Sequence, residues 1–302
     1  MRQVVSPGWF FLAAMIMAYG VANLLQSAAA ARTTVHHTFD PALLVRLAGQ
    51  RTYLLGIGCQ VFGFVLAFLA RRDLPLFLVQ ASVAAGLGVT ALLGVLVLKW
   101  SLPAAEVVLL TLLLLGITAL VLAAEPAHSR RLGTLVIILL AAAVVVIAVL
   151  GFFAARLRGS LGSVVLGSLA GVGFSAAAIA ARPLAGEHTA AGIIGNPLLY
   201  LLIVHSLVGQ LLLGLAMQRG STTAAVAAMD AAGAIPAAIV GLSLLGDRIH
   251  PGREWLGALG FVITLAAVIG LTRYAEPQNH HHTTGGPRRP GHPRLRTAAS
   301  GR

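Results

Sequence analysis

Nine long apolar stretches divide this chain, and short polar segments that hold nearly all of its charges separate them. Each stretch has about 20 residues, the length of an α-helix that crosses the hydrocarbon core of a bilayer. Because a backbone in lipid must satisfy its own hydrogen bonds, runs of this length favour membrane-spanning helices. The sequence therefore predicts an all-α integral membrane protein with about nine, or at most ten, transmembrane helices. The predicted spans are residues 9–29, 52–70, 76–98, 103–124, 132–155, 160–182, 194–217, 222–245 and 254–272.

The balance of residue types excludes a soluble globular protein. Hydrophobic residues make up 58% of the 302 residues and charged residues only 10%, whereas a soluble domain has about 25% charged residues. The formal net charge is +12, but the basic residues are spread over the ends of the apolar runs. Arginines at helix ends set membrane topology and do not form the basic surface that nucleic acid requires. We therefore expect the lipid bilayer, and no nucleic acid, as a partner.

Enzyme and cofactor signatures are missing from the sequence. It contains no HExxH, no GxSxG and no phosphate-binding lysine motif. Its one cysteine, Cys59, lies inside an apolar run, so we expect neither a disulfide nor a thiolate metal site. We therefore predict a protein that is not an enzyme and that uses no cofactor and no metal. Without an ATP-binding loop, any transport would run on an existing gradient or be passive.

The second half of the chain repeats residues of the first half. Gly20 corresponds loosely to Gly171, which pairs the first span with the sixth. In the remaining spans, residues of the same type fall on each other, with one inserted residue before the last two pairs: Tyr53 on Tyr200, Arg72 on Arg219, Gly86 on Gly233, Gly94 on Gly241, Pro103 on Pro251 and Glu106 on Glu254.

This repeat predicts two units of four spans with one span between them. The odd span reverses the direction of the chain, so the second unit enters the membrane from the opposite side, as in many secondary transporters. The predicted parts are the first unit at 1–124 with a surface loop at 30–51, a connecting span at 125–158, the second unit at 159–274 and a disordered basic tail at 275–302.

The first span has an alternative interpretation. Arg2, the apolar run and the alanines at 28–30 imitate a cleavable signal peptide. The run is long for a signal core and has a partner in the repeat, which favours a retained helix.

Arginine placement gives the expected orientation and location. The basic residues of the loops divide almost evenly between the two sides, so the arginine-rich tail decides and predicts a cytoplasmic C-terminus. The arginines of this tail would contact anionic lipid headgroups. Lys99 is the only lysine among the 21 basic residues. This composition indicates a GC-rich bacterial genome, and we therefore expect the bacterial cytoplasmic membrane.

Three short segments near the end of the chain carry a family pattern: QRGSTTA at 218–224, LLGDRI at 244–249 and EWLGALG at 254–260. A small-residue helix, a turn of this acidic–basic type and a final helix that opens with a glycine motif resemble the drug/metabolite transporter superfamily, with its EamA-like and NIPA-like members. The first half matches less closely, because Leu98, Lys99 and Trp100 stand where the acidic turn would be.

The resemblance implies transport of a small solute and leaves the cargo open. Ten spans are usual in the superfamily. A count of nine is more similar to the NIPA-type branch, whose members are linked to magnesium.

An acidic residue near the middle of a span is the strongest candidate for function. Asp230 lies in the eighth span, where an ionisable group costs at least about 2.5–3.5 kcal/mol on insertion scales. Gly233 and Pro236 follow it, and Pro236 has no N–H for the carbonyl of Ala232, which predicts a kink. A freed carbonyl beside a carboxylate suits a proton or a cation. The alternative is a protonated Asp230 that is hydrogen-bonded to a neighbouring helix.

Other polar residues inside the spans complete the predicted substrate or ion pathway. His205 in the seventh span would pair with Asp230 and relay protons, or would simply join two helices. The amide-bearing candidates would line the same cavity or connect helices: Gln210 in the second unit, and Asn23, Gln26, Gln60 and Gln80 in the first unit.

The sixth span presents a face of small residues: Ser163, Gly167, Gly171 and Ser175. Such a face allows close contact between helices. It is either a packing face within the chain, which is favoured because the first span must pack nearby, or the seam of a homodimer.

Three functional hypotheses follow. The leading one is a gradient-driven transporter of a small solute, metabolite or drug, with Asp230 as the coupling or substrate residue. The second is a magnesium or cation carrier or channel of the NIPA type. The third is a non-transporting membrane scaffold in envelope biogenesis, which a dry span around a hydrogen-bonded Asp230 would favour.

Overall fold

The structure, a computed structural model, describes residues 6–31, 50–98, 102–127, 130, 132–187, 189–219 and 222–281. It is 85% helical, and within these ranges nine helices are long and apolar enough to cross a membrane. The predicted all-α membrane fold with nine spans is therefore confirmed. In chain order the helices are α1 (Pro7–Ala31), α2 (Arg51–Ala70), α3 (Leu76–Val83), α4 (Ala85–Leu98), α5 (Ala104–Ala123), α6 (Thr134–Ala154), α7 (Gly159–Leu184), α8 (Ala190–Ile194), α9 (Pro197–Arg219), α10 (Thr222–Val240) and α11 (Glu254–His281).

The third predicted span is two helices rather than one. Helix α3 ends at Val83 and α4 begins at Ala85. At the break the N–H of Ala84 donates to the carbonyl of Ala81 over 3.3 Å, and the N–H of Leu87 donates to the carbonyl of Ala84 over 3.0 Å. These three-residue spacings are those of a tighter turn than the α-helix. Alanine is a strong helix former, so local propensity does not account for the break.

Successive spans run in opposite directions, so each connection lies on one of two faces. One of them, here called the N-terminal face, carries the start of α1 and the turn between α2 and α3. The N–H of Gly8 donates to Oδ2 of Asp73 over 3.0 Å and joins these two segments. The end of α7 and the connections after α5 and α10 lie on the same face.

Equivalent helices of the two predicted units make equivalent contacts. Helix α2 packs along α1 as α9 packs along α7, and α4 packs on α1 as α10 packs on α7. Helices α5 and α11, which the repeat relates to each other, pack together, and so do α3 and α10. This is the pairing expected of two similar units that meet across a central axis.

The aligned glycines lie where these equivalent helices cross. A Cβ on Gly86 would approach the backbone nitrogen of Gly20 to 3.4 Å, so α1 and α4 are in near-backbone contact. In the second unit a Cβ on Gly233 would approach the carbonyl oxygen of Gly171 to 3.0 Å, where α7 and α10 cross. The small residues are required at both crossings because a side chain would separate the helices.

The small-residue face of the sixth span is an internal packing face. In α7, a Cβ on Gly167 would lie 2.5 Å from the carbonyl oxygen of Ala225 in α10. Ser163 and Ser175 are fully buried. The homodimer hypothesis therefore gains no support from this face.

Two short strands close the N-terminal face. Strand β1 (Ala124–Glu125) follows α5 and pairs antiparallel with strand β2 (Arg248–Ile249), which follows α10. The sequence pattern did not predict this ladder, because strands of two residues are too short for a period-two pattern.

Two predicted segments fall largely outside the described residues. Of the surface loop at 30–51, the ends belong to α1 and α2, and residues 32–49 are not described. Of the predicted tail at 275–302, the first residues belong to α11, which ends at His281. Residues 282–302 lie outside the described part of the chain.

Candidate functional site

A cluster of polar side chains lies among the first and eighth spans and the turn into α3. It consists of Tyr19 on α1, Arg71 after α2, Gln80 on α3 and Asp230 on α10, here called the central polar cluster. Tyr19 is close enough to both Arg71 and Asp230 to interact with them electrostatically. The cluster therefore brings together residues of both predicted units.

Asp230 lies at a small cavity between the two units. Its side chain is only 8% exposed, and the described residues donate no hydrogen bond to its carboxyl group. The cavity, of about 10 Å³, is lined by Ala81 and Ala84 of the first unit and by residues of α10 and α11, including Phe261 and Thr264. That volume is room for about one water molecule. The cavity therefore has no room for a larger molecule in this conformation.

The break between α3 and α4 is part of this cavity. Ala84, the residue at the break, lines it together with Asp230. In the alignment of the two units, Val83 occupies the position of Asp230, so the break of one unit and the acid of the other stand at equivalent depths. Discontinuous helices at mid-membrane are tolerated where they line a cavity.

Arg71 is turned into the protein although it lies in a connecting turn. Only 3% of it is exposed, and burial lowers the pKa of its guanidinium to about 10, so that it is charged at neutral pH. Its Nη2 donates to Oε1 of Gln80 over 3.5 Å, the outer limit of a hydrogen bond. Its Nε and Nη1 have no hydrogen-bond partner in the described part of the chain.

Gln80 links Arg71 to the helix that carries Asp230. Its Nε2 would lie 3.4 Å from a Cβ on Gly233, so the amide rests against α10. Gly233 follows Asp230 by three residues and so lies on the same helix face. The line from Arg71 through Gln80 to Asp230 therefore leads from the N-terminal face to the middle of the bundle.

A buried ion pair closes the N-terminal face beside this cluster. Nη2 of Arg182, at the end of α7, donates to Oδ1 of Asp247 over 3.1 Å, and both side chains have no exposed surface. The same guanidinium donates to the carbonyls of Arg71 and Ala127. We call this pair the Arg182–Asp247 latch.

The latch also holds the start of α3. Oδ2 of Asp247 accepts hydrogen bonds from the N–H groups of Leu76, over 2.5 Å, and Phe77, over 3.4 Å. An acidic oxygen at this position satisfies amides that have no partner within the helix and complements the helix dipole. One carboxylate thus joins the ends of α7 and α10 to the beginning of α3.

Of the predicted site residues, the structure brings Asp230, Gln80 and Gly233 together. His205 is fully buried, but its Nε2 is 3.0 Å from the carbonyl oxygen of Leu140 on α6. It therefore connects α9 to α6, and the predicted pairing with Asp230 is not present.

A π-helical turn ends the eighth span, beyond the residues of the predicted kink. Helix α10 runs unbroken through Gly233 and Pro236 to Val240, and a π-helical turn follows at Gly241–Leu245. Gly246, in the left-handed region at φ 79°, and Asp247 both donate their N–H groups to the carbonyl of Gly241. The wide turn sets the carboxylate of Asp247 against Gly241, where a Cβ would lie 2.5 Å from Oδ2.

The remaining predicted residues lie away from the central polar cluster. Nε2 of Gln26 donates to Oε1 of Gln60 over 2.8 Å and joins α1 to α2. Asn23 is partly buried, and Gln210 is exposed on the outer surface of α9. For Gln26 and Gln60 the structure favours the helix-joining alternative over a pathway role.

This amide pair gives a prediction of small effect. Replacement of Gln26 by leucine, of Gln60 by leucine, and of both together should yield a coupling free energy of about 0.6 kcal/mol, the average for hydrogen bonds between membrane helices. Thermal unfolding of the three variants in detergent measures it. A coupling above about 2 kcal/mol would contradict a purely local role for the pair.

Tyr19, in the first span, was not predicted as a site residue. Three charged residues of the site were also not predicted: Arg71, Arg182 and Asp247. Each stands at the end of an apolar run, where a charge is normally exposed to water and needs no explanation. Because successive spans alternate in direction, the sequence does place all three residues on the same face of the membrane. It gives no other indication that they belong to one site. Whether a terminal charge points outward or inward depends on the packing of its neighbours.

No model of a known protein family matches this chain, and no curated protein or solved structure matches it either. What the site can do is therefore inferred from its own residues.

Proposed function

We propose that this protein is a gradient-driven transporter of a small solute in the bacterial cytoplasmic membrane, with its C-terminus in the cytoplasm. The observation that carries the proposal is Asp230, a buried acid at a cavity formed jointly by both units. A carboxyl group at this depth is costly, and ionisable residues within membrane spans commonly serve in ion pathways and proton relays.

The surroundings of Asp230 suit a proton-coupling residue. The described residues donate no hydrogen bond to it, so gain or loss of a proton breaks no existing contact. The adjacent cavity is about the size of one water molecule, and the break between α3 and α4 lies beside it. Discontinuous helices at the interface of two repeats are the usual binding place in secondary transporters.

The N-terminal face is closed in this conformation. The Arg182–Asp247 latch and the β1–β2 ladder tie the ends of α5, α7 and α10 to one another and to α3. A solute that reaches Asp230 from this face requires these contacts to part. A cycle in which the two units rock between closure on one face and closure on the other fits the equivalent helix contacts of the two units.

The resemblance of segments 218–224, 244–249 and 254–260 to the drug/metabolite transporter superfamily agrees with this proposal. A magnesium carrier of the NIPA type is the alternative within that superfamily. Magnesium is bound through oxygen ligands in near-octahedral geometry, usually with one or two carboxylates. Asp230 is the one carboxylate among the residues that line the cavity, and the cavity has room for about one water molecule rather than a hydrated ion, so we favour proton coupling.

Substitution of Asp230 by asparagine tests the proposal. A ligand is first found by screening compounds for thermal stabilisation of the purified protein, because binding to the folded state raises its stability. The wild type is then reconstituted in liposomes that contain a pH-sensitive dye, and ligand-driven proton movement is recorded. We expect Asp230→Asn to reduce this movement to the level of empty liposomes, because asparagine cannot exchange a proton.

A matched control separates this loss from misfolding. Glu254 is an exposed acid at the start of α11, and Glu254→Gln should transport as the wild type does. Asp230→Asn should change the free energy of unfolding by less than about 1 kcal/mol, since the two side chains have nearly the same shape and no hydrogen bond is lost. Unchanged proton movement in Asp230→Asn would remove the coupling role. Ion flux that ignores the proton gradient would instead favour the cation carrier, and binding without any flux would favour the scaffold.

A further inference from the structure

Among the described residues, no carboxylate forms an ion pair with the guanidinium of Arg71. Of the two buried arginines of this region, Arg182 is paired with Asp247. Asp247 uses its second oxygen for the amides of α3, and Asp73 accepts the N–H of Gly8 with its Oδ2. Arg71 forms no ion pair within the described ranges. The positive charge of the nearby Arg182 also repels it.

The burial of Arg71 makes the absence of a partner for its charge energetically costly. A guanidinium that is 97% buried, with Nε and Nη1 unpartnered, carries the full desolvation cost of a charge. Among the described residues, the only hydrogen bond of this guanidinium is the long one to Gln80. Tyr19 and Gln80 supply neutral polar groups near it, so the site has one positive charge and two groups that can adjust to a ligand.

We infer that Arg71 binds the carboxylate of a small monoanionic solute, with Gln80 and Tyr19 beside it. Arginine presents N–H groups that match a carboxylate, and such charge-assisted hydrogen bonds are roughly twice as strong as neutral ones. A single unpaired cation balances a monoanion, whereas a phosphate group carries up to two charges and three acceptor oxygens. The inference names the substrate class of the proposed transporter and therefore rests on the proposed function.

The position of Arg71 relates this site to Asp230. Gln80 touches Arg71 on one side and rests against Gly233, three residues after Asp230, on the other. A carboxylate held by Arg71 would thus lie along the line of polar groups that ends at the cavity of Asp230. The charge of the solute and the coupling proton are thus bound by different residues, Arg71 in the first unit and Asp230 in the second.

Binding to the purified protein tests the inference without any transport measurement. The probes are sodium acetate, sodium lactate and sodium benzoate as monocarboxylates, inorganic phosphate, and ethylammonium and benzylammonium chloride as cations of similar size. We expect at least one monocarboxylate to raise the Tm of the wild type in a saturable manner, with no effect of the ammonium salts. In Arg71→Met the apparent Kd for that carboxylate should rise at least tenfold, about what loss of a charge-assisted hydrogen bond gives.

The neighbouring arginine is the matched control. Arg72 is exposed, so Arg72→Met should bind the carboxylate as the wild type does. Arg71→Met should also fold at least as stably as the wild type without ligand, because an apolar side chain replaces an unpaired buried charge. A merely structural arginine would instead lower the Tm when replaced.

Three results would overturn the inference. In the first, phosphate or the ammonium salts stabilise the protein in place of the carboxylates. In the second, Arg71→Met binds the carboxylate as tightly as the wild type does. In the third, no monocarboxylate stabilises the protein. None of these depends on Asp230. A loss of carboxylate binding in Arg71→Met beside unchanged proton movement in Asp230→Asn would support this inference and contradict the proposed coupling role.

Discussion

Replacement of Arg182 by leucine is expected to destabilise the protein by about 3–5 kcal/mol, the range for breaking one half of a buried ion pair. The loss leaves Asp247 as a charge with no exposed surface and no cation. It also removes the hydrogen bonds that the guanidinium donates to the carbonyls of Arg71 and Ala127. By the usual relation between stability and melting temperature, the Tm in detergent should fall by roughly 6–20 °C.

A double variant shows whether the charge or the packing is responsible. Asp247→Asn keeps acceptor oxygen for the amides of Leu76 and Phe77 but removes the negative charge. In the combined variant Arg182→Leu with Asp247→Asn, we expect part of the lost stability to return, because no buried charge remains unpaired. Strictly additive losses would contradict a charge-based latch. Arg248→Leu, at an exposed arginine of the same face, is the control and should have little effect on the Tm.

Replacement of Gly171 by alanine is the second change with a large expected effect. A Cβ on Gly171 would overlap the carbonyl oxygen of Met229 and lie 3.0 Å from the nitrogen of Gly233. These are backbone atoms of α10, so no rotamer change relieves the overlap and the two helices must separate. We expect a loss of about 3 kcal/mol, the upper end of what overpacking usually costs, as a fall in Tm measured in detergent.

Two other glycines make this prediction specific. Gly214 in α9 has open space where a Cβ would be, so Gly214→Ala should be neutral or stabilising by up to about 1 kcal/mol. At Gly151 a Cβ would overlap only the Cδ2 atom of Leu212, the far end of a side chain. Gly151→Ala should therefore lose less stability than Gly171→Ala, because Leu212 can shift, whereas no side-chain movement relieves the overlap at Gly171. Equal Tm values for Gly171→Ala and Gly214→Ala would show that α7 and α10 are not in backbone contact.

The two predictions concern two parts of the proposed transport cycle. The crossing of α7 and α10 at Gly171 and Gly233 keeps the second unit rigid, and the Arg182–Asp247 latch joins that unit to α3 of the first unit. Motion between the units would then break the latch and preserve the crossing. Arg71 belongs to the first unit and Asp230 to the second. Motion between the units would therefore also change the distance between the proposed solute-binding residue and the proposed proton-binding residue.

The sequence by itself determined the nine spans and their approximate ends, and it marked Asp230 as an acid near the middle of a span. Hydropathy is a local property that sums along the chain, and a helix in lipid satisfies its own backbone, so each span follows from its own residues. Asp230 was predictable for the same reason, since one acid in a long apolar run is visible without knowledge of its neighbours. The matching glycines that later proved to be helix crossings were also visible in the alignment of the two halves.

Only the tertiary structure decided which terminal charges point inward. Arg71, Arg182 and Asp247 stand at ends of apolar runs, as many exposed charges do, and their burial results from the packing of elements that are distant in sequence. The same is true of the break at Ala84, where a strong helix former interrupts a helix at a cavity shared by both units. Local pattern determines whether a segment enters the membrane, whereas contacts among segments determine which of its polar groups lack water and can bind a ligand.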